Sequence, residues 1–339
     1  MSNDVIRVGL VGYGLAGSVF HAPLIRACER MKLVAVQTSR NVPDAVRSLD
    51  ELIERCDLVV VASPNTTHFP IAKQALESGR HVVIDKPIAV SVEEADDLIR
   101  IACEKQRVLS VFHNRRWDSD FLTVRAVLSR LGETMLFEAS WDRFRPQIKQ
   151  GWREVAEPGG GLFNDLGPHM IDQALQLFGM PDAVAADIFP QRGQAVVDDY
   201  FDVTFHYGRR RVCLRSSTLI TAPSPRFAIH GTGGSFVKFG LDPQEPQLKD
   251  GANPGDPQFG LDGSDGTLTH PDGSKEAIPT ARGNYRAYYD GVAAAILDGA
   301  PVPVTAEDAR DGLALIHLAR RASDEGRRLP VPAASSTAG

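Results

Sequence analysis

Cysteine is scarce in this 339-residue chain. Four residues, Cys28, Cys56, Cys103 and Cys213, lie far apart with no Cys-x-x-Cys pair. That spacing offers neither a disulfide framework nor a zinc site, and it suits a reducing compartment. His113, His206, His230, His270 and His317 are equally scattered, without paired ligand spacing, so no metal is expected. An excess of positive charge is also lacking. The net charge is −6, which disfavours non-specific nucleic-acid binding. No apolar run reaches the roughly 20 residues that span a bilayer, so no membrane is expected. The opening "MSNDVIRVGL" has no signal-peptide character, and internal repeats are absent. These absences leave a cytoplasmic globular protein that acts on, or binds, a small molecule. The composition, 43% hydrophobic and 24% charged, is ordinary for one. The length exceeds what one core usually serves, so two domains are expected.

The first third alternates strand and helix. Val5 to Val11 reads as a strand, and a helical stretch follows from about Leu15. Pro23 removes a donor and clashes with the preceding turn, which predicts a break near His21-Ala22-Pro23 and a second helical piece to about Arg30. Leu33 to Val36 is a second strand, and "SLDELIERC" an amphipathic helix, the only one that fits between Arg40 and Asp57. "DLVVVAS" is a continuous apolar strand, as expected when both faces of a parallel sheet are covered. "HFPIAKQALESG" is a helix closed by Gly79, "HVVID" a strand, and "SVEEADDLIRIACEKQ" a helix opened by the Ser91/Glu94 capping box. "VLSVFH" completes a doubly wound parallel α/β sheet of the Rossmann kind.

After about Trp117 the rhythm changes. The helix "FLTVRAVLSRLG" is followed by "TMLFEASWDRF", "AVAADIF", "YFDVTFHY", "RVCLRSSTL", "FAIHG" and "SFVKFG", strands that predict an antiparallel sheet. Phe201, Val203, Phe205 and Tyr207 alternate onto one face. Asp242 to Arg282 reads as long loops with a hairpin at "THPDGSKE", and two helices close the fold. The division expected is 1–118, 119–330 and a disordered tail at 331–339.

Gly12-x-Gly14-x-x-Gly17 follows a strand and opens a helix. The first glycine makes a tight turn, the second lets a pyrophosphate approach the backbone, and the helix start supplies amide donors. Gly12, Gly14, Leu15, Ala16 and Gly17 are therefore candidate nucleotide contacts. About 20 residues on, where an acid would hold the adenosine ribose of NAD, the chain reads Gln37-Thr38-Ser39-Arg40. A carboxylate would repel a 2′-phosphate, whereas hydroxyls and a guanidinium would bind one. Thr38, Ser39 and Arg40 thus favour NADP, with NAD as second choice. An ordinary polar strand end accounts for the same residues.

Ser63, Pro64, Asn65 and His68 follow the third strand, where ligands bind in such sheets, and are candidate cofactor contacts. Thr66 or Thr67 could cap the next helix instead. Asp85-Lys86-Pro87 ends the fourth strand. Lys86 could bind a developing alkoxide, or it could be a surface lysine in a turn set by Pro87. In "GGGLFNDLGPHMIDQALQLFG", Asp165 is read as a helix N-cap, with Pro168 in the first turn. Asp165 and His169 are four apart, so the carboxylate could fix the imidazole's tautomer. On the residues alone, an N-cap beside a solvated histidine is the slightly favoured reading. "RRWD" and "GWRE" could frame a polar ligand or form salt bridges.

Together, "GYGLAGSVFHAPLI", "ASPNTTHFPIAKQALESGRHVVIDKP", "SVFHNRRWDSDF", "WDRFRPQ" and "GGGLFNDLGPHMIDQALQLFG" resemble the Gfo/Idh/MocA oxidoreductase family over nearly the whole chain. The resemblance is strongest to its NADP-dependent scyllo-inositol dehydrogenase branch. It implies a Rossmann domain followed by an α/β domain with a largely antiparallel open sheet, through which homodimers or homotetramers form. The family's Glu-Lys-Pro falls on Asp85-Lys86-Pro87, with Asp for Glu, and its Asp-x-x-x-His falls on Asp165 and His169. Lys86, Asp165 and His169 are then catalytic, with Lys86 and His169 meeting across a cleft. Asn114 and Trp152 would join Lys86, Asp165 and His169 at the substrate. The implied reaction is hydride transfer between a polyol or sugar carbinol carbon and NADP(H). Two rivals share the fold: an NAD-dependent glycosidase without net redox, and a non-catalytic NADP-binding sensor. Trp141 to Pro146 and Asp242 to Tyr285 are the expected specificity loops.

Overall fold

A computed structural model describes residues 5–148, 151, 154–156 and 159–332. They fall into two compact units. One is built from residues up to Thr123, Leu241–Gly263 and Thr280–Leu313; the other from Val124–Gly240, Ser264–Pro279 and residues from Ala314 on. The polypeptide therefore returns twice to the first unit after leaving it. No helix among the described residues is long and apolar enough to cross a membrane.

The first unit is organised on β1 (Ile6–Val11), β2 (Met31–Gln37), β3 (Ala45–Val46), β4 (Leu58–Val61), β5 (His81–Asp85) and β6 (Leu109–Phe112). They form a parallel six-stranded sheet in the order β3-β2-β1-β4-β5-β6, the doubly wound arrangement. All four residues of β4 are buried, as expected of a central strand covered on both faces. The crossovers carry α1 (Ala22–Ala27), α2 (Leu49–Arg55), α3 (His68–Glu77) and α4 (Val92–Lys105). The Ser48 hydroxyl caps α2 by accepting from Glu51 N–H at 3.1 Å. In α4 the capping box is present: Glu94 N–H donates to Ser91 Oγ at 3.2 Å, while the Glu94 carboxylate reaches back to Val90 N–H at 3.2 Å. Gly79 follows α3 with φ +75°.

The break expected at Pro23 takes another form. Ala16–His21 is a π-helical turn that runs directly into α1, and Pro23 stands at the start of α1. Widening to the i→i−5 pattern, seen in Ala22 N–H bonding Gly17 O, accommodates the proline ring without interrupting the helix. The helix then stops at Ala27, short of Arg30. The two-residue strand β3 has no counterpart in the sequence reading.

The second unit holds a nine-stranded sheet. Its strands are β7 (Thr134–Ser140), β8 (Ala183–Phe189), β9 (Tyr200–Tyr207), β10 (Arg210–Ser217), β11 (Phe227–Gly231), β12 (Gly234–Lys238), β13 (Gly266–Thr269), β14 (Lys275–Ile278) and β15 (Leu329–Pro330). The order is β14-β13-β12-β11-β7-β10-β9-β8-β15, antiparallel throughout except for the parallel β7–β10 pair. Phe201, Val203 and Phe205 are fully buried on one face, while Tyr207 is half-buried. The remaining helices are α5 (Ser119–Val127), α6 (Leu162–Phe178), α7 (Gln244–Lys249), α8 (Arg286–Asp298) and α9 (Ala306–Asp324). Phe163 and Phe178 of α6 pack edge-on against Phe201 and Phe137, with centroids 5.1 and 5.3 Å apart.

The start of α6 corrects the sequence reading. Its N-cap is Gly161, not Asp165, and Pro168 lies inside the helix. The cap comes from elsewhere in the chain: Asp198 accepts Phe163 N–H on Oδ2 at 3.0 Å and Leu162 N–H on its carbonyl at 2.8 Å. Gly161 has φ +94°, and a Cβ there would lie 2.3 Å from the Asp198 carboxylate. The glycine thus clears the place of the cap.

Candidate functional site

The three fingerprint glycines play separable roles. Gly12 leaves β1 with φ +92°, and a Cβ on it would stand 2.5 Å from Ala62 O. A Cβ on Gly17 would stand 2.1 Å from Gly12 O, so this glycine lets the helix lie directly on the turn. A Cβ on Gly14 would meet nothing within 4 Å. One glycine therefore turns the chain, one permits packing, and one leaves the backbone open on the side from which a pyrophosphate would approach. Leu15 is exposed and Ala16 half-buried beside that opening. The residues present fit a dinucleotide.

At the end of β2, Gln37 O accepts Gly12 N–H at 3.1 Å, tying the strand end to the glycine turn. Gln37 Oε1 is buried without a hydrogen-bond donor among the described residues. Thr38 Oγ1 accepts Arg40 N–H at 3.1 Å and so shapes the turn. Ser39 and Arg40 are exposed. Arg40 has no side-chain hydrogen bond or ion pair among the described residues. β3 pairs Gln37 with Val46, which brings the next residue, Arg47, alongside Thr38. Its guanidinium donates to Thr38 O at 3.1 Å. Arg47 was invisible in the sequence because the strand that carries it here has only two residues.

The carboxyl ends of β4, β5 and β6 emerge side by side, with Val61 paired to Ile84 and Asp85 to Phe112. His68 is 1% exposed, and its nitrogens lie 2.9 Å from Ser63 O and 2.8 Å from Pro87 O. It is a tie between the loops after β4 and β5, and shapes the crevice through them. The Thr67 hydroxyl donates to Pro64 O at 2.7 Å and lies 2.6 Å from Ser63 Oγ. It makes no capping bond to α3. Asn65 opens the short turn before α3. Asp85 Oδ1 accepts Lys86 N–H at 2.9 Å. Burial alone pushes the Asp85 carboxyl up, but His21, Lys86 and His68 outweigh it and hold it below the ordinary carboxylate range. Asn114, 5% exposed, opens the 3-10 turn after β6, and its side chain has no hydrogen bond among the described residues. Arg115 and Arg116 are salt-bridge residues: Arg115 bonds Glu245, Asp118 and the Tyr285 hydroxyl, and Arg116 bonds Asp308.

In the second unit, Asp165 and His169 lie one turn apart on α6, the former half-buried and the latter 7% exposed. Asp172, buried and three residues further on, shares that face, an addition the sequence reading missed. Gln173 accepts from buried Arg226 at 2.8 Å. Arg192 donates to Arg145 O, Gln147 O, Glu154 and Asp199, so one guanidinium ties these four residues together. Trp152 lies outside the described residues. Among them, no cluster of His, Cys, Asp and Glu could hold a metal ion.

Family models match the two parts in turn. Residues 6–113 fit the oxidoreductase family's NAD-binding Rossmann fold, and residues 126–332 its C-terminal alpha/beta domain. The chain belongs to the Gfo/Idh/MocA oxidoreductase family. The chain is 44% identical over 331 residues to the uncharacterized oxidoreductase YdgJ of Escherichia coli (strain K12), covering 93% of this chain and 96% of that one. It is 39% identical over 343 residues to the scyllo-inositol 2-dehydrogenase (NADP(+)) IolW of Bacillus subtilis (strain 168), covering 96% of each. An oxidoreductase structure from Bacillus cereus superposes with TM-score 0.89 at 30% identity, covering 97% of this chain and 99% of that one. Family membership accounts for both halves of the architecture: the parallel NAD-binding sheet and the second sheet, largely antiparallel, in an α/β domain.

Proposed function

We propose that this Gfo/Idh/MocA oxidoreductase is an NADP(H)-dependent dehydrogenase that interconverts a carbinol carbon of a cyclic polyol or sugar and its ketone. A scyllo-inositol or inosose-like substrate is favoured. The observation that carries the reading is the end of β2. Where NAD would call for a carboxylate, the chain presents an exposed Arg40 with Arg47 beside Thr38. The likeness to IolW supports both the cofactor and the substrate class.

When bound, the nicotinamide accepts or supplies the hydride. Gly12, Gly14, Leu15, Ala16 and Gly17 receive the pyrophosphate, Thr38, Ser39 and Arg40 the 2′-phosphate end, and Ser63, Pro64, Asn65, His68 and Asp85 shape the groove. In the oxidation direction, His169 takes the hydroxyl proton at an imidazole nitrogen, Asp165 orients it, and Lys86 steadies the oxygen as charge develops. Asn114 and Trp152 contact the polyol. The half-buried face of the nine-stranded sheet joins copies of the chain into a dimer or tetramer. An NADPH and NADH oxidation screen against keto-inositols and keto-sugars tests the proposal. Faster turnover with NADPH on a keto-inositol is expected. A flat absorbance trace with every ketone, or glycoside cleavage without net redox, would overturn it.

A further inference from the structure

The residue behind Asp85 was not among the expected site residues. His21 ends the π-helical turn and is completely buried. Its Nδ1 lies 2.6 Å from the Tyr289 hydroxyl, and its ring rests against Phe112 with centroids 4.4 Å apart. Its Nε2 is buried without a hydrogen-bond partner among the described residues, and faces Asp85 Oδ1 at 3.9 Å. An ionised carboxylate only accepts, so a hydrogen bond to Asp85 needs the proton on Nε2; in the neutral ring Nδ1 then accepts from Tyr289. Burial pushes the Tyr289 phenol far above its ordinary value, so it keeps the proton that it donates. Tyr289 and His21 thus form a polar pair that stands 3.9 Å short of Asp85. A buried N–H without an acceptor is costly, and a small rotation of the Asp85 carboxylate toward the ring would close the remaining gap.

We infer that His21, braced by Tyr289, is a positioning residue that fixes the Asp85 carboxylate so that its second oxygen, Oδ2, accepts a hydroxyl of the bound nucleotide. The inference rests on the proposed nucleotide site and adds to it a part supplied by the π-helical turn and α8. Oδ1 is already engaged by Lys86 N–H. A donor from His21 on the same side leaves Oδ2 as the ligand-facing atom. Without it the carboxylate can turn about its last bond, and the cost falls on cofactor affinity.

The test is an NADPH fluorescence titration of the full-length protein and its variants, with thermal melts alongside. H21F keeps a ring and loses the Nε2 donor, so its Kd is expected to rise about tenfold. H21Q places an amide N–H near the position of Nε2 and is expected to bind within about threefold of wild type. H21N, whose amide falls short at the level of Nδ1, should stay weak. Y289F should lie between. If His21 acts through Asp85, H21F/D85N binds no more weakly than D85N alone. Wild-type affinity in H21F beside a weakened D85N would overturn the inference and leave the nucleotide site standing. Multiplying losses in the double variant, or H21Q as weak as H21F, would also overturn it, making His21 a packing residue. Normal binding in D85N would remove the nucleotide reading of the β5 end, and this inference with it. Should H21F not fold, H21Q, H21N and Y289F still decide.

Discussion

Two substitutions, one methyl group each, separate what the fingerprint glycines do for folding from what they do for binding. In Gly17→Ala the new carbon would sit 2.1 Å from Gly12 O, over 1 Å inside ordinary contact, and both partners are backbone. Relief requires the helix to lift from the glycine turn. Overpacking of this kind costs about 1–3 kcal/mol, and the upper end applies because no side chain can swing away. At about 2–4 °C per kcal/mol for a unit of this size, the melting temperature should fall by about 5–10 °C. In Gly14→Ala the methyl meets nothing within 4 Å, and Gly14 is not among the glycines with positive φ. The ligand-free melt should be unchanged or slightly raised, since alanine narrows the unfolded ensemble by about 0.4–1 kcal/mol. The same methyl stands where the pyrophosphate approaches, so NADPH affinity should fall at least about tenfold, or about 1.4 kcal/mol. Differential scanning fluorimetry without ligand and a fluorescence titration with it give both numbers. Unaltered NADPH binding in a normally folded Gly14→Ala would refute the reasoning, because the open side of the turn would then not be the ligand's side.

Other perturbations follow the same logic. Arg40→Ala should weaken NADPH about ten- to hundredfold, the loss of a charge-assisted hydrogen bond, and leave NADH nearly unchanged; equal weakening of both would make Gln37 to Arg40 only a strand end. Arg47→Ala should act in the same direction but less, through Thr38. Lys86→Ala and His169→Ala should each lower turnover at least about a hundredfold, and near-normal rates in both would sink the assignment. Burial pushes the Glu245 carboxyl up, but Arg115 and Lys249 outweigh it and bring it from 4.5 down to about 2. A depressed carboxyl stabilises the fold fully above its ordinary range and loses that contribution as pH falls toward the folded value. In urea titrations wild type should exceed Glu245→Gln by at most about 3 kcal/mol at pH 7, with more than half of the gap gone by about pH 3; a constant gap would refute the ion pair's role.

The first sheet was legible because its signals are local. An apolar run, a serine three residues before a glutamate and a glycine after a helix each act within one turn of chain, and β4, α4 and the end of α3 show them acting. What escaped depends on partners distant in sequence. Three buried residues illustrate it: Ser110 donates to Val304 O at 2.8 Å and bonds the Tyr288 hydroxyl at 2.9 Å. Contacts of this kind draw residues 280–313 into the first unit, and nothing in the local pattern of α8 says so. "RRWD" was ambiguous for the same reason, since Glu245 and Asp308, which turn its arginines into salt bridges, lie far along the chain.

The candidate site divides along the same line. Glycines in a fixed spacing and a strand end without an acid carry their chemistry with them, so the nucleotide reading came directly from residues 12–40. Residues that lie beside the site, Arg47 and His21, carry no pattern of their own and are found only by following what touches Thr38 and Asp85. Asp165 shows how a structural correction bears on a chemical reading. In the sequence, an N-cap explained this carboxylate without any function. The cap of α6 is Asp198, held in turn by Arg320 at 3.1 Å, and Asp165 lies in the first turn of the helix, past the Gly161 cap position. Pro168 forfeits a helical hydrogen bond at the same place, which an ordinary helix start would avoid. The N-cap explanation for Asp165 is therefore gone, and what stands is a first-turn carboxylate one turn from a nearly buried imidazole. Orientation of His169 by Asp165 is the role proposed for it. Asp165→Asn should therefore lower turnover while leaving the melting temperature within a degree or two, the reverse of what removing a helix cap would do.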